Sequence, residues 1–241
     1  MISAPGAFLL TLARLTYILV GMSHIGGKSK HKGTAPRDPE RTRKRLLQAA
    51  FQEIHLSGFR SADVDAILAK AGVTKGALYY HFDGKEALGY AVVDEVLTDI
   101  ARDKWLTPLR NPTNPVDTLI GIVRSTSLKP EDLQRGCALN NLAQEMSPID
   151  EGFRKRTARL FKDWHDAIKR ALRTGQKHGV VRNDVDPDEA ATFLIAAYEG
   201  YFSLAKNSQD AGVLRSGLRN LIAYLEGLRA RRERVAASRQ G

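Results

Sequence analysis

The sequence holds one cysteine, Cys137, in 241 residues. A lone cysteine excludes an intramolecular disulfide and a Cys-rich zinc site, fits a reducing, cytoplasmic compartment, and leaves packing alone to hold the fold. Histidines at ligand spacing are also missing: His24, His31, His55, His165 and His178 are scattered and read as surface or structural residues. No metal and no cofactor are expected. The sequence has no phosphate-binding glycine loop and no G-x-S-x-G nucleophile motif, so no catalytic residue is assigned and an enzyme is disfavoured. Period-two alternation and Asn-Gly hairpin signals are lacking too, which argues against strands.

Long apolar runs are nearly absent. The nearest approach is residues 7–20, AFLLTLARLTYILV, which Arg14 interrupts and no basic stretch precedes. Fourteen residues at 1.5 Å each cover about 21 Å of a roughly 30 Å hydrocarbon core, so the segment is a poor membrane anchor or signal peptide. It reads instead as an extension ahead of a start at Met22, or as an extra helix packed on the body or a partner.

What the sequence does carry is positive charge. Lys and Arg outnumber Asp and Glu 37 to 27, a formal charge of +10, which attracts a polyanion: nucleic acid or an acidic membrane face. The 43% hydrophobic content is enough for a buried core.

Residues 23–40, SHIGGKSKHKGTAPRDPE, have no apolar period and read as a flexible linker. From Arg41 a helix is expected, with Leu46, Leu47, Ala50, Phe51 and Ile54 on one face and Gly58 as its stop. Ser61 is placed to cap a second helix with Val64, Ile67, Leu68 and Ala71 inside, and Gly72 to close it in a left-handed conformation. A third helix is expected from Thr74, as cap, to about Phe82. Asp83 and Glu86, in capping-box spacing, would open a fourth that continues through Leu88, Val92, Val96 and Ile100 to Trp105. Pro108, Pro112 and Pro115 then forbid a continuous helix and suggest a hinge. Further helices are expected after Ser147-Pro148 and after Asp186-Pro187, and a last one over Leu214–Leu228. The fold class is therefore all-α, ending in a basic tail, RRERVAASRQG.

Residues 58–86, GFRSADVDAILAKAGVTKGALYYHFDGKE, form a helix-turn-helix pattern. The second helix of such a unit fits a major groove roughly 12 Å wide with its first residues at the base edges. Thr74 and Lys75 stand at its start, where amides and the helix dipole favour phosphate. Gly76 and Ala77 keep the surface low, and Tyr79, Tyr80 and His81 form an aromatic, hydrogen-bonding stripe. Leu78 and Phe82 would face inward. Tyrosines on a helix are often half-buried packing residues, but the preceding lysine, glycine and alanine favour contact with DNA.

At this point AGVTKGALYYHFDGKEAL resembles the signature of the TetR family of repressors, and GFRSADVDAILAKAG the segment before it. The likeness covers about residues 41–97. It implies that Thr74, Lys75, Tyr79, Tyr80 and His81 contact double-stranded operator DNA and that Lys85 binds backbone phosphate. It also implies a three-helix DNA-binding domain at 38–99 between an N-terminal extension, 1–37, and a larger α-helical ligand-binding and dimerisation domain, 100–229. The tail is 230–241. A homodimer through the last two helices and an unknown small-molecule inducer follow from the same resemblance; RGCALNNLAQEMSPIDEGFR is loosely similar to the body of one TetR subgroup.

In that body, Phe161, Trp164, Tyr198, Tyr201 and Phe202 can line an apolar pocket while Asn140, Asn141, Gln144 and Glu145 offer polar groups on neighbouring turns. The alternative is a solid core with those polar groups on the surface. The stripes Tyr198, Tyr201, Phe202 and Leu214, Leu218, Leu221, Leu225 are candidates for a dimer face or for internal core. Cys137 reads as a small buried residue or, with Arg135 nearby, as a redox or electrophile sensor. A nonspecific architectural DNA binder and an enzyme are the rival classes.

Overall fold

The computed structural model describes residues 38–230. The apolar segment 7–20, all but the end of the expected linker, and the tail from 231 lie outside the described residues. Among the described residues every regular element is helical, and the one β contact is an isolated bridge between Val181 and Arg229.

The first helix, α1 (Pro39–Ser57), starts two residues before Arg41 because the Asp38 carboxylate accepts the Arg41 amide and Pro39 occupies the first turn, where its missing amide costs nothing. It buries Leu46, Leu47 and Ala50 and ends at Gly58, with φ 82°. Helix α2 (Val64–Ala71) is capped by Asp63, whose carboxylate accepts the Asp65 amide, and not by Ser61. Gly72 takes the left-handed conformation expected, φ 61° and ψ 44°. A side chain there would also meet the Arg45 guanidinium at 2.5 Å.

Thr74 caps α3 (Lys75–His81), its hydroxyl accepting the Ala77 amide at 3.3 Å. The expected capping box at Asp83 and Glu86 does not form. Gly84 is the N-cap of the next helix, and the Glu86 carboxylate instead accepts a 2.6 Å hydrogen bond from Tyr90. That helix, α4 (85–106), begins as Lys85–Ala91 and passes through π-helical turns at Val92–Leu97 and Arg102–Leu106, on either side of Thr98–Ala101.

After a turn, Asn114 caps α5 (Pro115–Arg124). The prolines at 108–115 are not a hinge between two parts of the molecule, since Trp105, Leu109 and Val116 flank the turn within one core cluster. Short helices α6 (Pro130–Arg135) and α7 (Ala138–Met146) follow. Helix α8 (Glu151–Lys177) opens at Asp150, which accepts the Phe153 amide at 2.8 Å, rather than at Ser147. Asp186 does cap α9 (Pro187–Ser208), and Asp210 caps α10 (Ala211–Gly227).

Three hydrophobic clusters hold these helices. Leu46, Leu47, Ala50, Ile67, Leu68, Leu78, Phe82 and Leu88 make a head core from α1–α4. Trp105, Leu119, Trp164, Ile168, Leu194, Leu221 and Leu225 belong to a body core. Between them Phe59, Val93, Leu97, Leu142, Phe153 and Leu160 form a joint that α4 runs through. Gly89 is required there by close approach: an added Cβ would lie 2.4 Å from the Phe59 ring and 2.8 Å from that of Phe153. The expected division at residue 99 thus falls inside a helix that serves both parts.

Of the two stripes proposed for a dimer face, the leucine stripe is internal. Leu214, Leu218, Leu221 and Leu225 are all buried in the body core, as is Tyr198, because α10 packs its apolar face on α9 and α5. The large apolar side chains that α9 leaves in solvent are Phe193 and Leu204, 47% and 58% exposed.

Candidate nucleic-acid interface

The helix-turn-helix is built on the tight turn at Gly72. Its amide returns to Ala69 and Leu68, that of Val73 also reaches Leu68, and Arg45 donates to the Gly72 carbonyl at 3.3 Å. Leu78 and Phe82 anchor α3 on α1, which leaves its other face outward. Thr74, Lys75 and Gly76 are exposed, and Ala77 is half-buried.

Tyr79 and Tyr80 are 57% and 76% exposed, so neither is a packing residue within this chain. His81 is half-buried and edge-on to the Tyr80 ring, with centroids 4.8 Å apart. No acidic residue stands in the first turn of α3, so nothing in that turn offsets Lys75. Lys85 is set differently. Its Nζ donates to the Arg60 carbonyl at 3.0 Å and lies over the Phe59 ring at 5.2 Å, so it braces the head against the joint.

Polar contacts tie this head to α4 and to the body. Arg43 pairs with Glu95 on α4 and lies over the Phe82 ring at 5.1 Å. Glu145, on α7, accepts the amides of Phe59 and Arg60 at 2.8 Å each.

The residues expected to line one ligand pocket fall into two groups. Trp164 and Tyr198 border a small cavity of about 10 Å³ with Trp105, Leu119, Leu194 and Leu225. Phe161 and Phe202 pack beside it at 6.4 Å from Trp164 and 5.0 Å from Tyr198, while Tyr201 packs against Gly217. Asn140, Asn141, Gln144 and Glu145 do not converge on these rings. They line an open groove of about 490 Å³ with Ile54, His55, Ser203 and Lys206, between the end of α1 and the body. Their partners hold them there: Asn140 donates to Ser203, Asn141 to the Arg135 carbonyl, and Glu145 is occupied by the two amides above. His55 closes the groove through the Gly136 carbonyl at 2.9 Å, and its burial holds the imidazole below its ordinary pKa.

Sequence reasoning passed over the polar groups inside the body. Lys104 donates to the Tyr198 hydroxyl at 2.6 Å, and Thr126 stands 3.0 Å from the same oxygen. Glu199, on the next position of α9, is buried, and its burial pushes the carboxyl up to about 7. A glutamate inside the apolar run AATFLIAAYEGYF was the available signal.

Cys137 lies against Glu199 rather than in an electropositive setting. Burial, then the Glu199 charge, pushes its thiol up, which disfavours the thiolate a sensor needs. Among the described residues no cluster of His, Cys, Asp and Glu could hold a metal ion, and no helix is long and apolar enough to cross a membrane.

Comparison with known proteins agrees with this architecture. Residues 46–92 match the bacterial regulatory proteins of the tetR family, and residues 116–221 match the tetracyclin repressor-like C-terminal domain. The chain is 30% identical over 165 residues to the HTH-type transcriptional repressor DhaR of Mycobacterium sp. strain GP1, covering 66% of this chain and 79% of that protein. It is 28% identical to the transcriptional regulator AcuR of Cereibacter sphaeroides, over 72% of this chain and 85% of the relative. A TetR transcriptional regulator from Chloroflexus aurantiacus J-10-FL superposes with a TM-score of 0.70 at 27% identity, over 80% of this chain and 98% of that one. The exposed recognition helix, the helical body and these likenesses place the chain in the TetR family of DNA-binding transcriptional regulators, a family of regulators and not of enzymes.

Proposed function

We propose that the chain is a repressor that binds an inverted-repeat operator as a homodimer and releases it when a small molecule enters the body. The observation that carries the DNA-contact assignment is the outward display of Tyr79 and Tyr80 beside exposed Lys75 on a seven-residue helix. Two large aromatic rings in solvent are costly to maintain without a partner, and at this place in a helix-turn-helix the partner is the groove. Thr74, Gly76 and Ala77 would let the backbone approach and His81 would add a donor. Lys85 would reach phosphate only by leaving the Arg60 carbonyl. The similarity to a protein named as a repressor favours repression.

The dimer reading now rests on α9. Phe193, Leu204 and the open surface at Gly200, where an added Cβ meets nothing within 4 Å, offer a face that a second copy could cover. Two heads would then meet successive major grooves about 34–36 Å apart, or a multiple of that. The head (38–99) and body (100–229) would communicate through α4, which carries Lys85 at one end and the cavity-lining Trp105 at the other. Its π-helical turns are the natural place for a shift of register when the pocket is filled. A ligand that prefers the DNA-incompetent arrangement a hundredfold supplies about 2.7 kcal/mol of coupling.

The test is selection of bound sequences from random DNA followed by footprinting. A protected inverted repeat supports the operator reading; uniform protection along the duplex supports an architectural protein and overturns it.

A further inference from the structure

The positive charge of this chain does not lie in the head that binds DNA. Residues 38–99 hold eight Lys and Arg against ten Asp and Glu, so the head is net acidic while the whole chain carries +10. A head of that sign holds a polyanion only through cations set apart from its carboxylates. Three of the eight are committed within the protein: Arg43 to Glu95, Lys70 to Glu53, and Lys85 to the Arg60 carbonyl. Of the other five, Lys75 opens α3 and Arg60 stands in the turn after α1. The remaining three, Arg41, Lys44 and Arg45, lie together on α1.

They share one face. Steps of three and four residues return to the same side of a helix, and all three residues are exposed opposite the buried Leu46, Leu47 and Ala50. Gln48 and Gln52, also exposed, extend the face, so no carboxylate of α1 stands on it from Arg41 to Gln52. Among the described residues none of the three cations forms an ion pair.

Arg45 brings this face to the turn of the helix-turn-helix. Its Nη2 donates to the Gly72 carbonyl at 3.3 Å, and Gly72 lies two residues ahead of Thr74, the cap of α3. That tie uses one of the five guanidinium donors. The exposed remainder keeps the planar fork that suits a phosphate. A helix with its side chains, about 10–12 Å across, fills a major groove roughly 12 Å wide. An element beside the N-terminal end of such a helix therefore meets the sugar-phosphate strand that borders the groove.

Resting on α3 as the helix that enters the groove, we propose that Arg41, Lys44 and Arg45 form a phosphate clamp on α1. The clamp binds the backbone strand beside that groove and supplies affinity without sequence preference, while base selection stays with α3. Arg45 has two tasks in it: one N–H holds the turn from which α3 starts, and the others face phosphate.

The test is anisotropy of the full chain with two labelled duplexes, one selected by the protein from random DNA and one with that sequence scrambled, over a series of salt concentrations. Each lost phosphate contact makes the slope of log affinity against log salt shallower by about 0.9, so Arg41→Gln with Lys44→Gln should lose about 1.8 for each bound protomer, and the triple variant with Arg45→Gln about 2.7. Both duplexes should weaken by the same factor, about tenfold or more in the triple variant, with the discrimination between them kept. Arg45→Lys, which keeps the charge, should retain the slope. Removal of three exposed cations from the body instead, by Arg170→Gln, Arg173→Gln and Lys177→Gln on α8, should leave the slope unchanged. An unchanged slope in the double variant, an equal loss in the α8 variant, or a fall in discrimination without a change of slope overturns the clamp. The double variant spares the tie between Arg45 and Gly72, so a disturbed turn does not enter its result. Tyr80→Ala separates the clamp from the reading of α3. If that variant keeps full discrimination while the double variant loses slope, the clamp stands and the α3 assignment falls.

Discussion

Glu199 should make the stability of this protein fall as pH rises from 5 to 8, and replacing it with glutamine should remove that fall. Burial raises its carboxyl from the ordinary 4.5 to about 7, the Cys137 thiol and the Lys104 ammonium pulling the other way. The groups acting on it are Cys137 at the start of α7 and Lys104 from α4. The folded protein therefore holds this proton more tightly than the unfolded chain does. Stability from the bound proton is complete below the unfolded value of 4.5 and is lost as pH rises through about 7. At about 1.4 kcal/mol per pH unit, that interval amounts to about 3 kcal/mol. Glutamine resembles the protonated acid and does not titrate. Urea unfolding of the two proteins at pH 5, 6, 7 and 8, at one protein concentration, measures the effect. The Glu199→Gln protein should match the parent near pH 5 and exceed it by about 3 kcal/mol at pH 8. His55 acts with the opposite sign, since its burial lowers the imidazole pKa and costs stability as pH falls. It is common to both proteins and cancels in the difference. Parallel pH curves, or a variant less stable than the parent at pH 8, would refute the reasoning.

The remaining expectations concern the head, the joint and the dimer. Lys75→Ala and Tyr80→Ala should each abolish specific operator binding with an unchanged melting temperature, because both side chains are exposed; a wild-type gel shift from either would displace the proposed interface. Gly89→Ala should destabilise by about 1–3 kcal/mol through overpacking against Phe59 and Phe153, read by thermal melting, and a neutral result would mean the joint yields. Phe193→Asp with Leu204→Asp should convert a dimer to a folded monomer by light scattering, and a persistent dimer would put the interface elsewhere. Charges at Leu218 or Leu225 do not test the interface, since both leucines are buried within the body and circular dichroism should show the fold lost.

The helix-turn-helix was legible because its determinants are local. Gly72 must adopt a left-handed conformation, Thr74 satisfies an amide three residues away, and Leu78 and Phe82 share a face by helical period alone. Helix starts were less so wherever two capping residues compete. Asp63 won over Ser61, and Asp150 over Ser147, each accepting an amide two or three residues on. At Glu86 a long-range claim decided the outcome: Tyr90, held also by Asp150 sixty residues away, takes the carboxylate that a capping box would use.

The body shows the same boundary between local and distant causes. Helical period determined from the sequence alone that α8, α9 and α10 exist, and that Leu214, Leu218, Leu221 and Leu225 lie on one face. It could not determine what that face meets, because the period is the same for an internal core and for a dimer contact. Only the packing of α10 on α9 and α5 assigned the leucines to the interior and left Phe193 and Leu204 outside. Likewise Asn140, Glu145 and the aromatic rings are compatible in sequence, yet α7 turns its polar face to α1 and the joint, away from Trp164. The group of Lys104, Thr126, Cys137, Tyr198 and Glu199 is a product of tertiary structure alone: its members come from four separate segments, and a buried carboxylate differs from a surface one only by what packs against it.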